Sequence, residues 1–266
     1  MSEFAPLVEE VFVLQSFYND NERRAVGETF TLQSKVIHFL ANTVWDDLME
    51  ILLLFANNYP LGARKILRAM FESTVHLLWF VRNPSDIEKF VEFTWVDEGK
   101  LVNVDSSYYD SGDAKEILSR AAKASEMFQI PVCERCKVDE CLDCAKTRTA
   151  GSWLGKTNIV TLAKTVGLPS DMIRMAYYLP LHETHPKFQA IMLRQKNWED
   201  GTAGYYHSLD SDPNDRTLMS AHYMCVVSLT YFMEFFEVPD VGEQVLEMGK
   251  RFGTIWSTIY KHPNIP

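Results

Sequence analysis

Residues 63–82, "ARKILRAMFESTVHLLWFVR", constrain the fold more than any other stretch of this 266-residue chain. The segment carries helix-forming residues and no Gly or Pro. Apolar side chains (Ile66, Leu67, Met70, Phe71, Val75, Leu77, Leu78, Phe80) recur almost all round its circumference. A helix apolar on most of its faces has to be enclosed by other elements, so this one is expected at the centre of a helical bundle. Its polar residues fall on one stripe: Arg64, Arg68, Glu72 and His76 recur every four residues, and at about 100° per residue they drift slowly around the helix. Arg68 and Glu72 are spaced to pair across one turn. A buried pair of this kind needs further polar partners, so Arg68 and Glu72 are the candidate ligand-binding residues; the alternative is an ion pair that ties this helix to its neighbours.

The rest of the chain reads the same way. "PLVEEVFVLQSFYN" is a first helix with Pro6 in its first turn. A long helix runs to Asn57-Asn58 and is broken at Tyr59-Pro60-Leu61-Gly62. Ser85 is expected to cap a helix over 86–99, and further helices are expected over 113–128, near 156–167 and from Asp171 after a Ser170 cap. Pro213 opens another through Glu237, and a last one ends near Tyr260. Residues 197–212 read as a loop. No alternating strand pattern extends beyond four or five residues. The expectation is an all-α protein, a single bundle of eight to ten helices spanning 1–266, with an inserted loop at 131–146.

That loop is "CERCKVDECLDC". Cys133, Cys136, Cys141 and Cys144 are four of the five cysteines in the chain. Two C-x2-C turns present four thiolates, the tetrahedral set zinc prefers at about 2.3 Å. The four-residue spacer predicts a compact knuckle. Four thiolates close the coordination sphere, so a zinc here is structural and would contribute about 10 kcal/mol of folding energy to the loop. An iron–sulfur cluster is the alternative ligand for part of this spacing, and unligated or redox thiols are another. Cys225 lies in an apolar helical pattern and reads as core.

The net charge is −10, against a whole-surface nucleic-acid binder. The charge is uneven: residues 145–198 hold eight Lys/Arg against two Asp/Glu. That basic stretch is the candidate contact for RNA or another anion. The longest apolar run, Ile51–Ala56, is far short of a membrane span. The N-terminus carries no signal-like pattern, and a cytoplasmic location is expected.

Residues 52–81, "LLLFANNYPLGARKILRAMFESTVHLLWFV", resemble the signature helix pair of an uncharacterised bacterial family of helical proteins, with Arg68 and Glu72 at its Arg-x3-Glu. Trp153-Leu154-Gly155 matches that family's W-x-G element. "YYLPLHETHP" (177–186) matches its tyrosine-rich helix ending in His-Pro, with His185 at the histidine position and His182 where serine is usual. The similarity spans roughly residues 40–190, with the cysteines in the spacer. It implies an all-α fold and groups Arg68, Glu72 and His185; it brings no established activity.

Arg216 and His222, in "DPNDRTLMSAHYM", resemble the R-x(4–6)-H motif of HEPN-domain ribonucleases, helical bundles that act as dimers. The resemblance implies a homodimer in which these two residues cut RNA without a metal; apart from it, His185, at the end of the basic stretch, is a further candidate for an anion-binding or catalytic role. A histidine moves the proton and a guanidinium holds the phosphate charge. Thr217 follows the arginine where that family commonly has Asn or Asp, and on an isolated helix the two residues sit about 120° apart. The function expected first is therefore a metal-independent endoribonuclease effector of toxin or phage-defence type. The alternative is a non-enzymatic binding module for nucleotide, nucleic acid or protein. No phosphate-binding glycine loop, nucleophile elbow or H-E-x-x-H occurs.

Overall fold

The computed structural model describes residues 5–26, 31–131, 147–184, 195–197, 202–205 and 215–260. They are overwhelmingly helical and divide into two compact units, one from Met1–Arg82 with Ala163–Pro266, the other Asn83–Leu162.

In the first unit, α1 (Ala5–Val26), α2 (Leu32–Ala56) and α3 (Pro60–Arg82) follow one another. α2 starts where Thr31, in extended conformation, accepts a hydrogen bond on Oγ1 from the Ser34 N–H at 3.1 Å. The break between α2 and α3 is tighter than the sequence suggests. It comprises only Asn57, Asn58 and Tyr59, with Asn58 at φ +61° and Pro60 already helical. Asparagine tolerates that left-handed conformation, and a proline at the first helical position gives up no needed N–H. The short turn folds α3 back along α2.

After the second unit the chain returns through α6 (Ile159–Thr165). α7 (Ser170–Ile173) follows, then a π-helical turn at Arg174–Tyr178 and α8 (Leu179–Thr184). Pro169, not Ser170, holds the cap position of α7. α9 (Asp215–Phe235) and α10 (Gly242–Tyr260) close the unit. α9 packs on α2 and α3, and α1 packs on α9 and α10. α3 is central as expected: Ala63, Leu67, Met70, Phe71, Val75, Leu77, Leu78 and Phe80 are all buried. Inside, Ser228 donates to Thr74 across α9 and α3 at 3.3 Å. α1 is tied to α2 by polar contacts: the Tyr18 hydroxyl donates to Asn42 at 2.9 Å, and His38 Nε2 lies 2.7 Å from Glu22.

The second unit pairs α4 (Asp86–Val104) with α5 (Ser111–Met127). Ser85 occupies the cap position of α4 but makes no side-chain capping bond. Gly99 lets the two helices touch: a Cβ there would stand 2.4 Å from Ala121 Cβ. Phe93, Val96, Ala124, Phe128 and Ile130 form its core, with Trp153 packed against them.

Strands occur where none was expected. β1 (Gln129–Pro131) pairs antiparallel with β2 (Thr147–Thr149), Gln129 opposite Thr149. β3 (Gln195–Asn197) pairs with β4 (Ala203–Tyr205), inside the stretch read as a loop. Three-residue strands are too short to generate a legible alternation. β1 and β2 bracket residues 132–146, so Cys133, Cys136, Cys141 and Cys144 lie outside the described residues, as does His185. No described helix is long and apolar enough to cross a membrane.

Candidate functional site

α3 turns its apolar residues inward, and its polar stripe meets two different environments. At the stripe's far end His76 is half-buried and stacked on Phe80, with ring centroids 5.9 Å apart. Burial pulls its pKa down to about 4, so it is neutral near pH 7. One and two turns earlier the stripe reaches solvent. Arg68 Nε donates to Glu72 Oε1 at 3.2 Å, and the two side chains are 23% and 40% exposed. An exposed pair of this geometry adds well under about 1 kcal/mol to stability, so structural demand alone is a weak reason for it.

Aromatic rings complete the arrangement. The Arg68 guanidinium lies over the Tyr177 ring, 5.0 Å from its centroid, and Phe71 packs against the same ring at 5.6 Å. Tyr177 meets Tyr178 edge to face at 5.3 Å and 84°. Both tyrosines belong to the π turn, where the Leu179 N–H reaches back five residues to the Arg174 carbonyl. Pro180 gives the physical reason. Its ring would collide with the carbonyl four residues back, and it has no N–H to donate; a widened turn relieves both. The extra residue brings Arg174 and Tyr178 about one π turn apart. Both are exposed, Tyr178 by 47%.

The site therefore offers a carboxylate acceptor, a guanidinium held on an aromatic face, a second exposed cation and an exposed ring. Sequence reasoning found Arg68 and Glu72, and the structure keeps them together. It missed Arg174, Tyr177 and Tyr178. The adjacent tyrosines followed by Pro180 were the available signal for a distorted helix.

The other candidates are placed differently. Arg216 is exposed in the first turn of α9. His222, on the same helix, has no exposed surface. Its Nδ1 accepts from Trp256 Nε1 at 3.1 Å, and the Phe252 ring meets it edge-on at 5.0 Å. Burial, and secondarily the charge of Arg251, pull its pKa down to about 4. Within one protomer Arg216 and His222 thus present no common surface. Cys225 is buried, and burial plus the charge of Glu10 push its thiol up to about 12. The basic stretch is divided between the units, with Arg148 and Lys156 in one and Lys164 and Arg174 in the other, all exposed. Among the described residues no group of three or more His, Cys, Asp or Glu is placed to hold a metal.

The chain matches a family of unknown function (DUF5677) over residues 35–202, a span that takes in Arg68, Glu72, Arg174, Tyr177 and Tyr178. None of the curated proteins and none of the solved structures matches it.

Proposed function

The chain belongs to this family of unknown function, and we propose that it works as a helical binding module that takes a nucleotide at Arg68, Glu72, Arg174, Tyr177 and Tyr178. The observation that carries this reading is the half-exposed Arg68–Glu72 pair stacked on Tyr177, beside the exposed Arg174 and Tyr178 of the same π turn. Each part has a use in holding a nucleotide. The Tyr178 face stacks a base, the Glu72 carboxylate accepts from an exocyclic amine, and Arg174 meets a phosphate. The four cysteines serve in this reading as a structural zinc clip on the second unit, and the protein acts in the cytoplasm.

Calorimetric titration with nucleoside mono-, di- and triphosphates and with a short single-stranded RNA tests the reading. Binding is expected, with Tyr178→Ala weakening it about 10-fold or more, in line with about 1–3 kcal/mol per stacked base. Arg174→Ala should weaken phosphate-bearing ligands and leave nucleosides unchanged. Absence of binding to all of them by folded protein at millimolar ligand would overturn it.

The endoribonuclease reading stands second. Its support is a single feature: His222 Nε2 is buried and makes no hydrogen bond, and unsatisfied buried groups recur at catalytic positions. It requires a rearrangement that brings His222 and Arg216 to one cleft, in a homodimer. RNA cleavage in excess EDTA that is lost in both His222→Asn and Arg216→Ala would promote it above the binding module; no cleavage would remove it.

A further inference from the structure

α2 buries one side and leaves the other open. Ile37, Val44, Leu48 and Ile51 lie in the core. On the opposite side Phe39 is 68% exposed and Leu53 is 64% exposed, and Leu32 and Met49 also reach solvent. With Lys35, Asp46 and Glu50 these residues fall within an arc of about 100° on the helix. Four large apolar side chains on one open helix face differ from scattered single exposures, and such a face marks an interaction surface.

The order of residues along this face says what covers it. Outward from the point between Asn42 and Thr43, the exposed positions come in mirror pairs: Phe39 with Asp46, Lys35 with Glu50, and Leu32 with Leu53. Met49 has the half-buried Val36 as its counterpart, and Ala56, the remaining exposed position, lies beyond the paired length. Two copies of the helix laid antiparallel about a two-fold axis at that point set each residue opposite its mirror position. Leucine then meets leucine at both ends of the contact, Val36 meets Met49, and Lys35 meets Glu50. Each Phe39 ring falls beside the axis, between Asn42, Thr43 and Asp46 of the other copy.

Charge favours the same arrangement. Among the described residues Lys35, Asp46 and Glu50 form no ion pair within the chain. Burial, and then the charges of Glu50 and Asp46, raise the pKa of Asp47 to about 7, so this half of α2 carries acids that repel one another. A lysine brought by a second copy offsets that charge. A parallel pair would instead set Lys35 against Lys35 and Glu50 against Glu50, and like charges face to face cost affinity.

We infer that the open face of α2 is a homodimer interface, in which two copies of the chain pair antiparallel about a two-fold axis between Asn42 and Thr43. The interface uses neither Arg216 nor His222, and it stands without the nucleotide site proposed above.

Sedimentation equilibrium of the full-length protein, from low to high micromolar concentration, tests the inference. A reversible monomer–dimer equilibrium is expected. Phe39→Ser and Leu53→Ser change exposed side chains, so the fold should persist, as circular dichroism will show; each should weaken the dimer about 10-fold or more. Lys35→Glu and Glu50→Lys each turn two attractive contacts into repulsive ones and should weaken it about 10-fold. The two changes combined in one chain restore opposite charges across the axis and should recover the dimer, as should an equal mixture of the two single variants. A monomer at every concentration, a dimer unaffected by Phe39→Ser, or charge reversals without effect or without rescue would each overturn the inference.

Discussion

The burial of His222 predicts how the protein responds to acid. In the folded chain its pKa is pulled down to about 4, first by burial and then by Arg251, against about 6.5 for an unfolded histidine. Between these values the unfolded chain binds a proton that the folded chain excludes. The contribution of His222 to stability is therefore complete above about pH 6.5 and is lost as the pH falls towards 4. Integrating between pH 7 and pH 5 gives a loss of about 2 kcal/mol from this one residue. His76 acts in the same sense, and Asp47, whose pKa is raised to about 7, acts in the opposite one. A comparison of variants separates them. His222→Asn keeps an acceptor where Nδ1 receives the Trp256 N–H, and it removes the titration. Urea unfolding at pH 7 and pH 5 is the assay. The variant should start less stable at pH 7, because the smaller side chain leaves a gap, and its loss between the two pH values should be about 2 kcal/mol smaller than that of the unaltered chain. Equal losses in the two proteins would refute the reasoning, as would an NMR titration placing the His222 midpoint near 6.5.

Other residues make further predictions. Gly99→Ala puts a methyl 2.4 Å from Ala121 Cβ and should destabilise the α4–α5 unit by about 1–3 kcal/mol; Ala121→Gly in the same chain should restore most of the loss, and an unchanged melt in the single variant would contradict the close approach. Asp47 is held near pH 7 by burial and by the charges of Glu50 and Asp46. Its folded form keeps a proton that the unfolded chain has released, so it costs stability as the pH rises; Asp47→Asn should stabilise by about 1 kcal/mol at pH 8, after screening by solvent, and by less at pH 5. The four clustered cysteines should bring a stoichiometric zinc through purification, with metal and folded stability of the loop lost together in Cys136→Ser; a metal-free protein with four freely titrating thiols would end that proposal.

Much of the scaffold was legible from periodicity, because helix burial repeats every few residues within one segment. The central placement of α3 followed from its own composition, and Arg68 and Glu72 could be paired because both lie on one helix, a turn apart. Cap positions were less secure: Ser85 stands at the right place without using its hydroxyl, and Pro60 begins a helix that its neighbours suggested it would interrupt. The short ribbons β1–β2 and β3–β4 were not legible, since three residues per strand carry no pattern to read.

What the sequence determined by itself was thus local: which segments are helical, which helix is enclosed, and where cysteine and basic residues gather. Which polar residues share a surface belongs to the tertiary structure. Arg68 acquires Tyr177 from more than a hundred positions away because Pro180 widens a turn against α3. His222 looks on the page like half of a catalytic motif, and it lies instead among Trp256, Phe252 and Arg251. The physical reason is the same in both cases. The environment of a polar group, and with it its charge and reach, is set by the residues that packing brings to it and not by its neighbours along the chain.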